Sequence, residues 1–263
     1  GIIIMPVGSF YPQVLVIPSI REDKSNVVDT TGLVSHLKLE DVNDSWFNVL
    51  TLTNNNSVTF RKGFFGNCAK GNGSSSYLSR ASTSLLNPGL ISHYWIIRYR
   101  GIKSTGTKTI LQKHSGTNGY KIEVNAATGI ITVTLDDGTT TKTAVTTIDT
   151  LDGKWHTLIV DVNRAANLKL YLDSVSVHAT TSLATLSGLI TNSTAFTMLA
   201  SAVPGQYWDG ELDDVRLYVG SGISNTNLET LMDIKQMHIV DIEERGGSLS
   251  LNSTEERSRF TMA

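Results

Sequence analysis

Apolar and polar residues alternate with period two over several short runs of this chain. Thr109-Ile110-Leu111-Gln112-Lys113, Tyr120-Lys121-Ile122-Glu123-Val124 and Ile130-Ile131-Thr132-Val133-Thr134-Leu135 show that period or a short β-branched run. Such runs predict strands with one buried face. Turn signals separate them: Thr117-Asn118-Gly119, Ala127-Thr128-Gly129 and Asp136-Asp137-Gly138, where Gly and Asn tolerate the backbone angles of a reversal. His156–Val162 and Leu168–Asp173 predict a further strand pair. Short strands at this spacing, with no strand–helix alternation, predict an all-β antiparallel sandwich over residues 31–232.

The two ends read differently. In residues 1–30, Pro6, Pro12 and Pro18 recur among Val, Ile and Phe. Proline prevents a helix and is excluded from central strands, so this segment is expected to be an extended apolar arm. It either wraps its own domain or docks on a neighbouring subunit. Residues 233–263 form a tail of mixed charge, in which Ile239-Val240-Asp241-Ile242 and Ser248-Leu249-Ser250-Leu251 flank Gly246-Gly247. A small hairpin and a solvated tail both fit it.

Composition narrows the function classes. The net charge of the 263 residues is -2, so no global basic field exists to hold nucleic acid. No apolar run approaches the roughly 20 residues that span a bilayer. Cys68 is the sole cysteine; an internal disulfide is impossible, and a small buried hydrophobe is the expected role. The chain opens on Gly1 rather than Met, which points to trimming or processing, and Ile2-Ile3-Ile4-Met5 lacks the flanks of a signal peptide. Sequons at Asn55, Asn72, Asn192 and Asn252 are expected by chance in a Ser/Thr-rich chain.

Four stretches, in order, resemble one family. The first is Gly32–Asp41 with Asp44-Ser45; the second is Gly63–Ser74 with Tyr77-Leu78. The third is Asp152-Gly153-Lys154-Trp155-His156-Thr157 leading to Leu170-Tyr171-Leu172-Asp173. The fourth is Gly210-Glu211-Leu212-Asp213-Asp214-Val215-Arg216-Leu217-Tyr218, followed by Ser224–Leu231. Together they resemble the concanavalin A-like lectin/glucanase superfamily in its laminin-G-like form. The Gly-x-Trp-His signature is the most specific motif, while Gly71 stands where the family commonly has an aromatic or aliphatic residue. The resemblance implies a two-sheet antiparallel jelly-roll sandwich and a short helical turn over Ser224–Leu231. It also implies that Trp155 anchors the core while His156 serves structure.

The resemblance also frames the chemistry. Glucanases of this fold use Glu-x-Asp-x-x-Glu on one strand, a carboxylate pair plus an orienting acid. Here Glu211-Leu212-Asp213-Asp214-Val215 ends on Arg216, which does not give up a proton in proteins, so no enzyme is expected. Related jelly rolls hold calcium between the opening and closing strands, and Glu40, Asp41 and Asp213 are the matching positions. The competing reading pairs Asp213 or Asp214 with Arg216. Carbohydrate binding needs exposed aromatics: Tyr207, Trp208, Tyr94, Trp95 and Trp46 are the candidates, of which Trp208 is the best placed and Trp95 also reads as a core residue. The resulting expectation is a non-enzymatic structural or decoration protein of a viral particle or surface assembly. It would sit on a virion or extracellular surface and bind host glycans through an outward jelly roll. Residues 1–30 and 233–263 would hold copies of itself or other particle subunits. The alternative is a calcium-dependent adhesion module of a bacterial surface protein.

Overall fold

A computed structural model of the protein describes residues 31–46, 50–173, 175–201 and 205–220. The arm at 1–30, the tail at 233–263 and the turn expected at 224–231 lie outside the described residues.

Among the described residues sixteen strands follow in chain order: β1 (Leu33–Leu37), β2 (Thr53–Asn55), β3 (Thr59–Lys62), β4 (Asn67–Lys70), β5 (Tyr77–Arg80), β6 (His93–Ile102), β7 (Thr107–His114), β8 (Asn118–Asn125), β9 (Ile130–Asp137), β10 (Thr141–Val145), β11 (Asp152–Val162), β12 (Asn167–Leu172), β13 (Val175–Ser176), β14 (Thr181–Ser182), β15 (Phe196–Met198) and β16 (Glu211–Val219). Sheet A is nine-stranded with the order β13-β12-β11-β6-β16-β4-β3; β1 also pairs with β16, and β14 with β12. Sheet B is seven-stranded with the order β10-β9-β8-β7-β15-β5-β2. The two antiparallel sheets form the expected jelly-roll sandwich, and the predicted alternating runs fall in β7, β8, β9, β11 and β12.

The core lies between the sheets. Trp95, Ile97 and Tyr99 of β6, Leu158, Val160 and Val162 of β11 and Leu212, Val215 and Leu217 of β16 meet Leu111, Ile122, Val133 and Phe196 of sheet B. Trp95 stacks on Phe196 with ring centroids 5.7 Å apart and 6° between planes, tying one sheet to the other. Alternation then dictates the outward residues: Tyr94, Ile96, Arg98 and Arg100 on β6, and Thr132 and Thr134 on β9.

Bulges decide which way the remaining side chains point. The register of β16 against β6 shifts between Asp213 and Arg216, where Asp214 takes a left-handed φ of 51°. This reverses the phase of alternation within one strand. A second shift separates Asp152 from Trp155 and sets Trp155 opposite Arg100. Trp155 therefore faces outward, with the Arg100 guanidinium 4.9 Å from its ring centroid, and is not the core anchor its motif implied. Trp208 fills that role. It is fully buried, 6.2 Å from the Tyr99 ring, and Gly101 and Gly210 leave the space its indole occupies: a Cβ on Gly210 would overlap the ring.

Candidate functional site

On sheet B, Gln112 and His114 project outward from β7, and Lys121 and Glu123 project from β8. The turn at Ser115-Gly116 and the connections carrying Thr194, Ser201 and Gln206 complete a groove of about 290 Å³. Its floor is recessed, since Gln112 and Glu123 are only 6% and 8% exposed although they face away from the core. The Lys121 ammonium meets the Glu123 carboxylate at 2.8 Å, so these two charges cancel. Burial lowers the pKa of His114 and Lys121 lowers it further, against an opposing pull from Asp136; its imidazole is neutral at pH 7.

One wall of the groove is held in an uncommon backbone state. Gln206 has a φ of 45°, rarely adopted by a residue with a side chain. Thr109 fixes it twice: the Thr109 amide donates to the Gln206 carbonyl at 3.0 Å, and the Thr109 hydroxyl pairs with the Gln206 side chain at 3.0 Å. The next residue, Tyr207, is half-buried and lies 6.3 Å from the ring of Tyr77, which projects from β5 on the same side of sheet B. The groove thus offers amides, hydroxyls and one internal ion pair beside an aromatic pair, while the His114 Nδ1 is already taken by the Gly116 amide at 3.0 Å.

The outward face of sheet A is built differently. Glu211 receives both Arg61 and Arg100. Asp214 accepts from Arg216 at 3.0 and 2.8 Å and contacts His36 at 2.6 Å. Burial alone would raise the Asp214 pKa, but Arg216, the His36 hydrogen bond and Arg98 outweigh it and hold the carboxyl well below the usual range. Asp213 behaves oppositely. Burial pushes it up to about 7; the Phe65 amide resists this, while the neighbouring Asp214 charge adds to it. Arg98 lies 4.4 Å from the ring centroids of both Phe64 and Phe65. His156 bridges Asp173 at 2.7 Å and Asp152 at 3.0 Å, a structural pin between β11 and the turn after β12.

The three positions matched to calcium do not form a cage. A Glu40 oxygen accepts the Asn67 amide at 2.8 Å, and Asp213 accepts the amides of Phe64 and Phe65 at 2.8 and 2.9 Å. These two carboxylates clasp the β3–β4 turn through its backbone. Asp41 binds the backbone and side chain of Asn43 in its own loop. Among the described residues no group of three or more His, Cys, Asp or Glu side chains is arranged to hold a metal ion, whereas calcium takes about six to eight oxygens. The sugar-binding candidates are also dispersed. Tyr207 flanks the groove, Trp208 is inside the core, and Trp46 packs against the apolar cluster of Leu33, Tyr94, Ile96, Ile159 and Tyr218 on sheet A. A side chain sealed in the core presents no face to a sugar, so Trp208 is not a binding residue.

A laminin-G family model, described as the concanavalin A-like lectin/glucanases superfamily, matches residues 72–221. The chain belongs to that superfamily. Similar solved structures include the binding domain of Paraclostridial Mosquitocidal Protein 1, at 14% identity and TM-score 0.67, covering 78% of this chain and 52% of that one. The botulinum neurotoxin serotype G binding domain is similar at 16% identity and TM-score 0.63, over 77% of this chain and 51% of that one. The binding domain of botulinum neurotoxin DC in complex with SialylT matches at 13% identity and TM-score 0.62, again over 77% and 51%. The chain spans about half the length of these domains, and likeness at this identity establishes the fold. No curated protein matches by sequence.

None of the residues lining the groove was a binding candidate from sequence; of those candidates, Tyr207 follows the lining residue Gln206. Gln112, Lys121 and Glu123 are visible there as the polar phase of alternating strands, a phase that any solvated sheet face shares. Nothing in the sequence marks the loops that wall them in.

Proposed function

We propose that this protein is a non-enzymatic carbohydrate-binding module whose site is the groove on the outward face of sheet B. One observation carries this reading: Gln112, His114, Lys121, Glu123 and Gln206 converge in one recess beside the Tyr77–Tyr207 pair. Sugar hydroxyls both donate and accept, so their partners must do the same, as side-chain amides do. An aromatic face beside them takes the apolar side of a pyranose ring. Cancellation of Lys121 by Glu123 favours a neutral glycan over an acidic one. Relatives in fold include binding domains solved with SialylT, which supports a glycan role for the jelly roll. In sheet A, by contrast, Glu211 and Asp214 are neutralised by arginines, which supports binding over hydrolysis.

A virion or extracellular surface, where adhesion to glycans is of use, is the location this reading fits, and residues 1–30 and 233–263 would join the module to other subunits of a particle or surface assembly. A glycan array probed with the full chain, followed by calorimetry on each hit, tests the groove. Binding of neutral oligosaccharides that weakens on Gln112→Ala and on Tyr207→Ala is the expected result. Silence across a broad array, or hits indifferent to both substitutions, removes the proposal.

A further inference from the structure

One cross-strand row on the outward face of sheet A carries an excess of positive charge. Lys70 of β4 lies opposite Glu211 of β16, Glu211 opposite Arg100 of β6, and Arg100 opposite Trp155 of β11, so these four side chains share one face. Arg61 of β3, opposite Cys68, reaches across to the same Glu211. The two Glu211 oxygens are thereby divided: one meets Arg61, and the other accepts the Arg100 Nε–H at 2.6 Å. The Glu211 side chain is 2% exposed, whereas that of Arg61 is 53% and that of Arg100 35% exposed. The buried carboxylate thus fixes two guanidinium groups from below, and solvent reaches the rest of each.

Lys70 is the group this network leaves over. Among the described residues its ammonium makes no hydrogen bond and no ion pair, although the residue is half-buried. Burial lowers its pKa; Asp209 opposes that, while Arg61 and Arg100 add to it. Three cations therefore stand against Glu211 and Asp209, and the accessible rim is positive in a chain whose net charge is -2. A negative group placed beside Lys70 and Arg61 relieves this repulsion and meets the unpartnered donor. We propose that Lys70, Arg61 and Arg100 form a second binding site, on sheet A, for the carboxylate or sulfate of an acidic saccharide. Guanidinium and ammonium groups only donate hydrogen bonds, which matches an oxyanion that only accepts them. Glu211 holds the two arginines in place beforehand, so they lose less freedom on binding. Trp155 ends the row half-buried, with the Arg100 guanidinium 4.9 Å from its ring centroid. An apolar ring thus adjoins the cations, as a pyranose with isolated charges requires. Duplex DNA, with a charge about every 1.7 Å, asks for a broader basic surface than one row beside Asp209. This site shares with the groove the reading that the protein binds glycans, but it uses other residues, the other sheet and the opposite preference for charge.

The test titrates the full chain with hyaluronan, whose charges are carboxylates, and with dextran sulfate, whose charges are sulfates. Binding of either polymer supports the site, and the one bound more tightly names the oxyanion. Affinity is expected to fall as salt is added. Lys70→Ala and Arg61→Ala should each weaken it roughly fivefold at low salt, while Lys70→Arg keeps it. Lys70 has no partner to strand, so its variants should fold as the wild type does, which circular dichroism checks. Lys142→Ala removes the same charge from sheet B and should change nothing. Neutral oligosaccharides titrated into the same variants separate this site from the groove: their binding should survive Lys70→Ala, and its complete absence would remove the groove reading while the acidic site stands. Failure of both polymers to bind overturns the inference. So does binding that Lys70→Ala and Arg61→Ala leave unchanged, or that Lys142→Ala weakens as much. Tighter binding of a duplex DNA oligonucleotide than of either polymer also overturns it, since the row would then be a nucleic-acid site.

Discussion

On sheet A the outward positions of β6 and β16 are Arg98, Arg100, Glu211, Asp214 and Arg216, giving way to Tyr94, Ile96 and Tyr218; on sheet B they are Gln112, Lys121, Glu123, Thr134 and Thr197. The same alternation produces both faces. On sheet A the charges are engaged with one another: Arg61 and Arg100 close on Glu211, and Arg216 and His36 close on Asp214. On sheet B the groups are mainly neutral and line a recess. A cluster of acids on a strand is therefore weak evidence of a reaction, because arginines in the adjacent strands absorb it. A polar sheet face becomes a candidate site where its hydrogen-bonding groups meet a cavity.

The largest expected effect separates two neighbouring residues. Trp208→Ala should destabilise the fold by about 3–5 kcal/mol, the range for deleting a buried aromatic side chain. Tyr207→Ala should leave stability within about 0.5 kcal/mol, as for an ordinary surface substitution. Chemical denaturation of the two variants checks this. Equal losses would mean that the half-buried Tyr207 is as much a part of the core as Trp208. Gly210→Ala is expected to fall between them, at about 1–3 kcal/mol, since its new methyl overlaps the indole and overpacking carries that cost.

A pH experiment sharpens the contrast on sheet A. Asp213 titrates near 7 in the fold and near 3.8 as an ordinary carboxyl, so between those values the folded state holds a proton that the unfolded chain has released. Its contribution to stability falls as pH rises from about 4 to about 7 and is constant above. Buried His93 works the other way. Burial lowers its pKa to about 4, and its contribution grows as pH rises through nearly the same window. The whole-protein profile is thus partly flattened, and the informative quantity is the difference from Asp213→Asn. The Asn oxygen still accepts the Phe64 and Phe65 amides, while the ionisation penalty is gone. The variant should gain a few kcal/mol on the wild type between pH 4 and 8. A difference independent of pH would place the Asp213 pKa at its ordinary value.

What the sequence disclosed, and what it hid, follows the same physics. Period-two runs and Gly/Asn turns announced β7, β8, β9, β11 and β12, because alternation is local. The orientation of Trp155 and Trp208 was hidden. A register shift after Asp152 sets Trp155 outward, and the space for Trp208 comes from Gly101 and Gly210, two residues far apart in sequence. A bulge reverses every later side chain of a strand, yet it has no residue signature of its own. Tyr207 was legible only as one of several candidate aromatics. Gln112 and Lys121 were not, since concavity arises from the loops carrying Thr194 and Gln206.

Smaller effects probe the groove itself. Removal of the Tyr207 ring should weaken neutral-glycan binding by about 1 kcal/mol, roughly five- to tenfold in Kd. Gln112→Ala should weaken it by a similar amount through lost hydrogen bonds. Isothermal titration on a glycan that binds reads both, with far-ultraviolet circular dichroism as the check on folding. Substitutions on sheet A that spare the fold, such as Lys70→Ala, should leave Kd unchanged. If they weaken binding as much as Gln112→Ala does, the ligand sits on sheet A and the comparison between the faces is inverted.

The smallest effect expected is none. Chelation with EDTA should leave both the melting temperature and glycan affinity where they were. A bound ion stabilises a fold by mass action in proportion to its occupancy, and a calcium joining β1 to β16 would make the melting temperature rise with added metal. Glu40 and Asp213 reach the same β3–β4 turn by accepting backbone amides at 2.8–2.9 Å. That hydrogen bonding already fastens the opening and closing segments to the turn. A clear rise in melting temperature with millimolar calcium would mean that these oxygens leave the amides for the metal, and would restore the cage to the end of sheet A.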